Sequence, residues 1–338
     1  KGLLEDLWPY IEADAELGGR EALMEHVLQV AGEDGELYQI FSTFSILTAV
    51  GATSVVGDRM SWTTADLRSA LASMPEGCQP FSQGYTKQNI LSNVLGMNLD
   101  SFVDWNTGTC DFDSETFITL LEFCDLFPLE YDLDAEHDSE VTRVLEGRQL
   151  LLELELSDLA DMQRLEAVFG GDFSFVGYPV EDGGVGSSFM ISNGMAMSAA
   201  CKDKEGAWSF MRELLLPESG EEGWWPNGFY VNRQDFDAHM EKLMTPAYEL
   251  DENGQPVEVS NRAMGGDGLT VDIYATTQKE YDQFMELYNA IDTTSNYDTA
   301  IHMIVRGEAQ AFFYGDVTAE EAARQIQNRV RLYLSERS

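Results

Sequence analysis

The chain has 338 residues, of which 60 are acidic and 20 are basic, so its formal net charge is −40. A surface this negative repels phosphate backbones and anionic membranes, which argues against a nucleic-acid-binding protein and, more weakly, against a polyanionic ligand. At this length two lobes are expected, and a hydrophobic content of 44% is enough for ordinary cores.

The cysteines and histidines are scattered along the sequence. The four cysteines form no CxxC pair, and the four histidines form no HxxxH pair, so neither a disulfide framework nor a zinc site is expected. Cys124 shares an apolar helical face with Phe117 and Leu121, which predicts a buried free thiol. We expect no cofactor and no bound metal.

The first half of the chain begins with short helical pieces over residues 1 to 30. The run GELYQIFSTFSILTAVG, between Gly35 and Gly51, predicts a long strand of the kind that passes between lobes. MSWTTADLRSALASM predicts a helix capped at Thr63 or Thr64. DWNTGTCDF predicts a hairpin before the next helix.

The second half alternates strands and helices. EVTRVLEGRQLLLELEL predicts a helix and then a strand, DFSFVGYPV a second strand, and FMISNGMAMSAAC with KDKEGAWSFMRELL a strand, a loop and a helix. YELDENGQPVEV predicts a hairpin with Asn253 and Gly254 at its tip. This alternation is typical of α/β lobes.

The C-terminal segment predicts a docked helix. Thr318 and Glu321 have the spacing of a capping box, and apolar residues follow every four positions from Ala322 to Leu334. We expect one lobe to contain the C-terminus and to bury a common set of residues: Phe117, Leu121, Phe175, Ile326 and Val330.

That segment, VRGEAQAFFYGDVTAEEAARQIQNRVRLYLSE, resembles the terminal helix of the extracellular solute-binding proteins that deliver sugars to ABC importers. Other segments resemble the same group in matching order: WTTADL, FVDWNTGTCDFDSETFITLLEF, LEGRQLLLELELSD, GYPVEDGGVGSSFMISNGMAMSAACKDKEGAWSFMRELL and GFYVNRQDF. Three positions depart from the group's pattern, with Arg148 for a common Lys, Leu151 for a common Met and Tyr230 for a common Pro.

The resemblance implies an α/β, two-lobed fold of the periplasmic-binding-protein-like type II. The family's opening βαβα unit, signal peptide and lipid-attachment cysteine have no counterpart here, so the first lobe is expected to be incomplete. The expected division is 1–45 and 191–230 for the first lobe, and 46–190 and 231–338 for the second. The full-length protein is expected to be extracellular and attached to the cell surface.

The function implied is that of a non-enzymatic, monomeric substrate-binding subunit that holds a neutral sugar or oligosaccharide between two lobes and works with a membrane permease. Peptides or polyamines are alternative ligands within the same family. Another alternative is that this chain, without the opening unit, no longer binds a ligand.

A sugar site needs aromatic faces for stacking and short polar groups for hydroxyls. By the resemblance, the candidate contacts are Phe44, Ser45, Gln83, Tyr85, Glu155, Ser187, Ser188, Trp224, Trp225 and Phe229. A Phe on a strand is more often a core residue, whereas two adjacent indoles in a polar loop cannot both point into one core.

Paired carboxylates keep a second class open. Glu153 and Glu155 lie two residues apart on one face of a predicted strand, with Asp158 beyond them. A secreted glycoside hydrolase needs two carboxylates roughly 5 to 10 Å apart. Because 60 residues are acidic, such pairs also arise by chance.

Overall fold

A computed structural model describes residues 2–131, 138–181, 183–217, 228–266, 269–294 and 298–337. Within these ranges the helices are α1 Trp8–Ala13, α2 Glu25–Val30, α3 Thr53–Val56, α4 Thr64–Ala72, α5 Lys87–Phe102, α6 Glu115–Cys124, α7 Glu140–Leu145, α8 Ala160–Phe169, α9 Lys204–Met211, α10 Arg233–Met244, α11 Gln278–Ala290, α12 Thr299–Phe313 and α13 Ala319–Arg337. None of the helices in the described ranges is both long and apolar enough to span a bilayer.

The strands alternate with these helices over most of the chain. They are β1 Thr43–Ala52, β2 Val103–Asp104, β3 Thr109–Cys110, β4 Leu152–Leu156, β5 Phe173–Phe175, β6 Ser188–Ile191, β7 Phe229–Tyr230, β8 Tyr248–Leu250, β9 Pro256–Glu258, β10 Asn261–Gly266 and β11 Leu269–Ile273. The longest predicted strand begins only at Thr43. Leu37, Ile40 and Phe41 are completely buried ahead of it, so their apolar character reflects burial and not a strand.

The chain forms two compact units, each built from separate stretches of sequence. Unit 1 comprises Lys1–Leu47, Glu155–Ala167 and Ser188–Thr294, and unit 2 comprises Thr48–Leu154, Val168–Ser187 and Ser295–Ser338. The chain therefore passes from one unit to the other within β1, β4 and α8, and again at Ser187–Ser188 and Thr294–Ser295.

Unit 1 is built around the first half of β1. This half pairs antiparallel with β6 and β7, which places Phe44 opposite Ile191 and Phe229. Ring centroids 4.4 to 6.3 Å apart join the aromatic side chains of its core: Phe44, Phe189, Phe229, Phe284 and Tyr288. Such ring pairs add to the free energy of apolar burial.

The unit boundaries differ from the expected division, which placed 231–338 together. The structure groups 231–294 with unit 1 because Phe284 of α11 packs against Phe229 and Phe236 of α10 packs against Phe284. Both helices have an apolar face, and an apolar face alone does not indicate which core it covers.

Unit 2 combines the second half of β1 with a group of helices. Val50–Ala52 pairs antiparallel with β5, and α5, α6, α12 and α13 pack against one another. Hydroxyl and carboxylate caps satisfy amides at the helix starts, with Thr86 on α5, Ser114 on α6 and Asp298 on α12.

The predicted core of this unit is confirmed. Phe117, Leu121, Phe175, Ile326 and Val330 are all at most 2% exposed, and all belong to the unit that contains the C-terminus. The Thr318–Glu321 capping box forms in both directions, with the Thr318 amide bonded to Glu321 and the Glu321 amide bonded to Thr318 Oγ1. Cys124 is a fully buried free thiol, as expected.

Both predicted hairpins are also confirmed. β8 pairs with β9 across a turn in which Gly254 has φ +74°, and β2 pairs with β3 across a turn in which Gly108 has φ +65°. Glycine takes this left-handed conformation without a steric penalty, so local sequence specifies both turns.

The terminal helix provides a test of the unit 2 core. Ile326 is completely buried, so Ile326→Ala should lower the free energy of unfolding by about 2–5 kcal/mol through lost apolar burial and a residual cavity. Leu332 lies on the same helix and is 60% exposed, so Leu332→Ala should change the free energy of unfolding by about 0.5 kcal/mol or less. Urea denaturation measures both, and equal effects would contradict the packing of α13.

Candidate ligand-binding site

Four polar side chains of unit 2 form one hydrogen-bonded cluster. The Tyr85 hydroxyl donates to Glu153 Oε2, and the Tyr178 oxygen lies 3.1 Å from the Tyr85 oxygen. Asn93 Nδ2 lies 2.9 Å from each tyrosine oxygen and 3.5 Å from Glu153 Oε2. Because the Tyr85 proton is directed at Glu153, Tyr178 is the donor between the two tyrosines.

Separate elements bring these residues together. Tyr85 precedes α5, Asn93 lies in its second turn, Glu153 lies on β4, and Tyr178 follows β5. Asn98 of α5 is buried and donates to the Pro179 carbonyl oxygen at 3.2 Å, which holds the Tyr178 segment against the helix.

A close backbone approach fixes Tyr178 from the other side. The Tyr178 amide donates to the Gly186 carbonyl oxygen at 2.7 Å, and a Cβ on Gly186 would come within 1.7 Å of the Tyr178 backbone carbonyl oxygen. Only glycine allows the two segments to lie this close.

A buried arginine supports the segment before Tyr85. Arg143 is 4% exposed, and its Nη2 lies 3.0 Å from Gln79 Oε1 and 3.2 Å from the Arg148 carbonyl oxygen. Gln79 and Gln149 form a parallel bridge, and Gln149 Nε2 donates to Glu140 Oε2 at 3.3 Å. The bridge ties the loop that carries Tyr85 to the segment that leads into β4.

Aromatic rings form the inner side of the cluster. The Phe81 ring stacks on Tyr178 with centroids 5.2 Å apart and an interplanar angle of 14°, and it meets Tyr85 edge-on at 5.7 Å. Phe81 and Tyr178 are fully buried, whereas Tyr85 is only partly buried. Tyr85 therefore connects the core to the surface.

Burial changes the proton affinities of the cluster. It raises the pKa of Glu153 above the usual 4.5, opposed by the hydrogen bond from Tyr85. Burial also raises the pKa of Tyr85, and the negative charge of Glu153 raises it further. The tyrosine therefore keeps its proton at neutral pH and remains a donor to the carboxylate.

A polar cavity of about 480 Å³ opens beside this cluster. Its lining residues all belong to unit 2 and are Ser82, Gly84, Tyr85, Asn89, Ser92, Asn93, Glu140 and Arg306. Hydroxyl, amide and carboxylate groups dominate this lining, so the cavity suits a ligand with many hydrogen-bonding groups. Gln83 follows Ser82, and within the described residues its buried Oε1 has no hydrogen-bond partner.

In unit 1 the predicted polar contacts lie on β1, β4 and β6. Ser45 Oγ donates to Glu155 Oε1 at 2.7 Å, with Glu155 exposed and Ser45 buried. Ser188 is fully buried, and its Oγ has no partner among the described residues. Ser187 belongs to unit 2, where its hydroxyl lies 2.7 Å from Thr48 Oγ1.

The aromatic candidates take other roles or cannot be placed. Phe44 and Phe229 are each 1% exposed and pack against each other within the unit 1 core, so neither ring has a free face for a ligand. The expectation that they stack on a sugar is thereby corrected. Trp224 and Trp225 lie outside the described residues.

The carboxylates considered for hydrolysis have structural partners. Glu153 accepts from Tyr85 and Glu155 from Ser45. Asp158 accepts from the Ala160 amide at 2.9 Å, at the start of α8. Each carboxylate thus already accepts a hydrogen bond from within its own unit.

Sequence reasoning missed Asn93, Tyr178 and Glu140. A signal for Asn93 is present, because Asn89 and Asn93 lie four residues apart in α5 and so share one face. No such signal marks Tyr178 or Glu140, since tertiary contacts bring Tyr178 to the cluster and Glu140 to the cavity.

The raised pKa of Glu153 predicts a pH effect on stability. A carboxyl group whose pKa is raised by folding stabilises the folded state fully below pH 4.5, and this contribution is lost as the pH rises through the folded-state pKa. Relative to wild type, the non-ionising Glu153→Gln variant should therefore gain more in Tm at about pH 7 than at about pH 5.

Tyr85→Phe is the matched variant for this test. It removes the hydrogen bond that lowers the Glu153 pKa, so the pH-dependent change should move to higher pH. A Tm difference between wild type and Glu153→Gln that stays constant across this pH range would contradict the assignment.

No protein-family model matches the chain, and no curated protein does. Solved structures do match. The sugar-binding protein MalE from Xanthomonas citri has 12% identity and a TM-score of 0.55 over 99% of this chain and 80% of its own.

Two further structures are similar over the same extent. An ABC substrate-binding protein from Listeria monocytogenes, in complex with cycloalternan, has 14% identity and a TM-score of 0.53 over 99% of this chain and 81% of its own. An ABC transporter solute-binding protein from Agrobacterium vitis, with bound D-mannitol, has 13% identity and a TM-score of 0.51 over 100% of this chain and 82% of its own. The chain has the α/β, two-lobed fold of the sugar-binding ABC solute-binding proteins.

Proposed function

We propose that this chain is an extracellular substrate-binding subunit of an ABC importer, with a neutral sugar or oligosaccharide as its ligand and a membrane permease as its partner. The observation that carries the proposal is the match of nearly the whole chain to this fold, in structures described with cycloalternan and D-mannitol. We propose further that the protein acts as a monomer and attaches to the cell surface.

The unit 2 cavity supports a sugar as the ligand. Its walls combine hydroxyl, amide and carboxylate groups with the partly exposed ring of Tyr85. Sugar recognition requires both kinds of contact, because hydroxyls need hydrogen-bonding partners and the ring faces are apolar. A net charge of −40 also disfavours ligands that carry several negative charges.

The hydrogen bonds of the carboxylates support the proposal of a non-enzymatic role. A retaining or inverting hydrolase needs one carboxyl group as an acid and a second as a nucleophile or base. Here Glu153, Glu155 and Asp158 receive hydrogen bonds from Tyr85, Ser45 and the Ala160 amide. We propose that these bonds orient the three carboxylates for binding and helix capping instead of catalysis.

Calorimetric titration with neutral mono- and oligosaccharides tests the ligand class. We expect saturable binding of at least one sugar and a loss of about tenfold or more on Tyr85→Ala, since one good ligand contact contributes about 1.4 kcal/mol or more. Tyr314→Ala is the matched control, because Tyr314 is an exposed tyrosine of the same unit outside the cavity.

Failure of every sugar to bind, with peptides or polyamines binding instead, would overturn the sugar proposal and keep the transport class.

The hydrolase alternative has its own test. Incubation with aryl glycosides and oligosaccharides should release no product, even at sugar concentrations that saturate the protein. Turnover that is lost in Glu155→Gln would establish the enzyme and contradict the binding role.

A further inference from the structure

Asn93 has an orientation that its neighbours determine. One end of its side-chain amide lies near three oxygen atoms: the hydroxyls of Tyr85 and Tyr178 at 2.9 Å and Glu153 Oε2 at 3.5 Å. If the amide oxygen occupied this place, it could accept only the Tyr178 proton and would face the Tyr85 oxygen and the Glu153 carboxylate without a donor. The amide nitrogen, which can donate to these acceptors, therefore occupies it.

The other end of the amide follows from this. With Nδ2 turned toward the cluster, Oδ1 points away from it, and no described residue donates to Oδ1. Asn93 lines the cavity of about 480 Å³ together with Tyr85 and Glu140. The amide oxygen is thus the end of Asn93 that the cluster leaves available.

We infer that Asn93 is a ligand-contacting residue that presents its amide oxygen to the cavity, where it accepts a hydrogen bond from one hydroxyl of the bound sugar. This inference rests on the proposed function for the identity of the ligand. It adds to that function one contact residue and the direction of its hydrogen bond, because the sugar hydroxyl must donate and Asn93 must accept.

Asn89 provides a comparison within the same helix. It lines the same cavity one helical turn before Asn93, and none of the described residues bonds to its side-chain amide. Its amide protons are therefore free to exchange with solvent, whereas those of Asn93 face the two tyrosines and Glu153.

Side-chain amide NMR on the full chain tests the orientation without a ligand. The resonances are assigned by their loss in Asn93→Asp and Asn89→Asp. We expect the amide protons of Asn93 to exchange with water at least about tenfold more slowly than those of Asn89, because hydrogen bonding protects them. Exchange as fast as that of Asn89 would overturn the inference, whether or not any sugar binds.

Sugar analogues test the direction of the contact. The probes are the monodeoxy and monodeoxyfluoro derivatives of whichever sugar binds among D-glucose, D-galactose, D-mannose and maltotriose. At the hydroxyl whose removal abolishes the ligand-induced shift of the Asn93 amide, we expect both derivatives to bind at least about tenfold more weakly, since fluorine cannot donate. A fluoro derivative that binds like the parent sugar would overturn the inference.

The two arms separate this inference from the proposed function. If Asn93 is protected and no sugar binds, the proposed ligand class fails and the orientation of Asn93 stands. If a sugar binds and Asn93 exchanges freely, the proposed function stands and the role of Asn93 is wrong.

Discussion

The hydrogen bond from Tyr85 to the half-buried Glu153 is the interaction on which the candidate site depends. A carboxylate removed from water needs donors, and Tyr85 and Asn93 supply them from the loop before α5 and from α5 itself. The same bond fixes the Tyr85 hydroxyl, and with it the ring beside the cavity. The orientation of Asn93 follows from these positions.

Much of the scaffold around this bond was predictable from local sequence. The Thr318–Glu321 capping box, the apolar stripe through Ile326 and Val330, and the turn at Asn253–Gly254 each depend on residues close together in the chain. Near-neighbour rules of capping, periodicity and turn chemistry are sufficient for such features. The fold class was predictable for a different reason, namely the ordered resemblance of several segments to a known family.

The site itself was only partly predictable. Tyr85 and Ser45 take part in polar clusters, whereas Phe44 and Phe229 belong to an aromatic core. An aromatic residue on a strand has the same local pattern in either role, because burial depends on partners such as Tyr288 that lie far away in sequence. The division into units was missed for the same reason, since α10 and α11 carry apolar faces without a signal for their core.

The most direct test of this account is a crystal structure of the full chain with the tightest-binding neutral sugar. The account predicts a sugar that contacts the Tyr85 ring and places one hydroxyl within about 3 Å of Asn93 Oδ1, with Tyr85 still bonded to Glu153. A sugar bound elsewhere would contradict it, for example in a cavity of unit 1 that Tyr10 and Trp208 help to line.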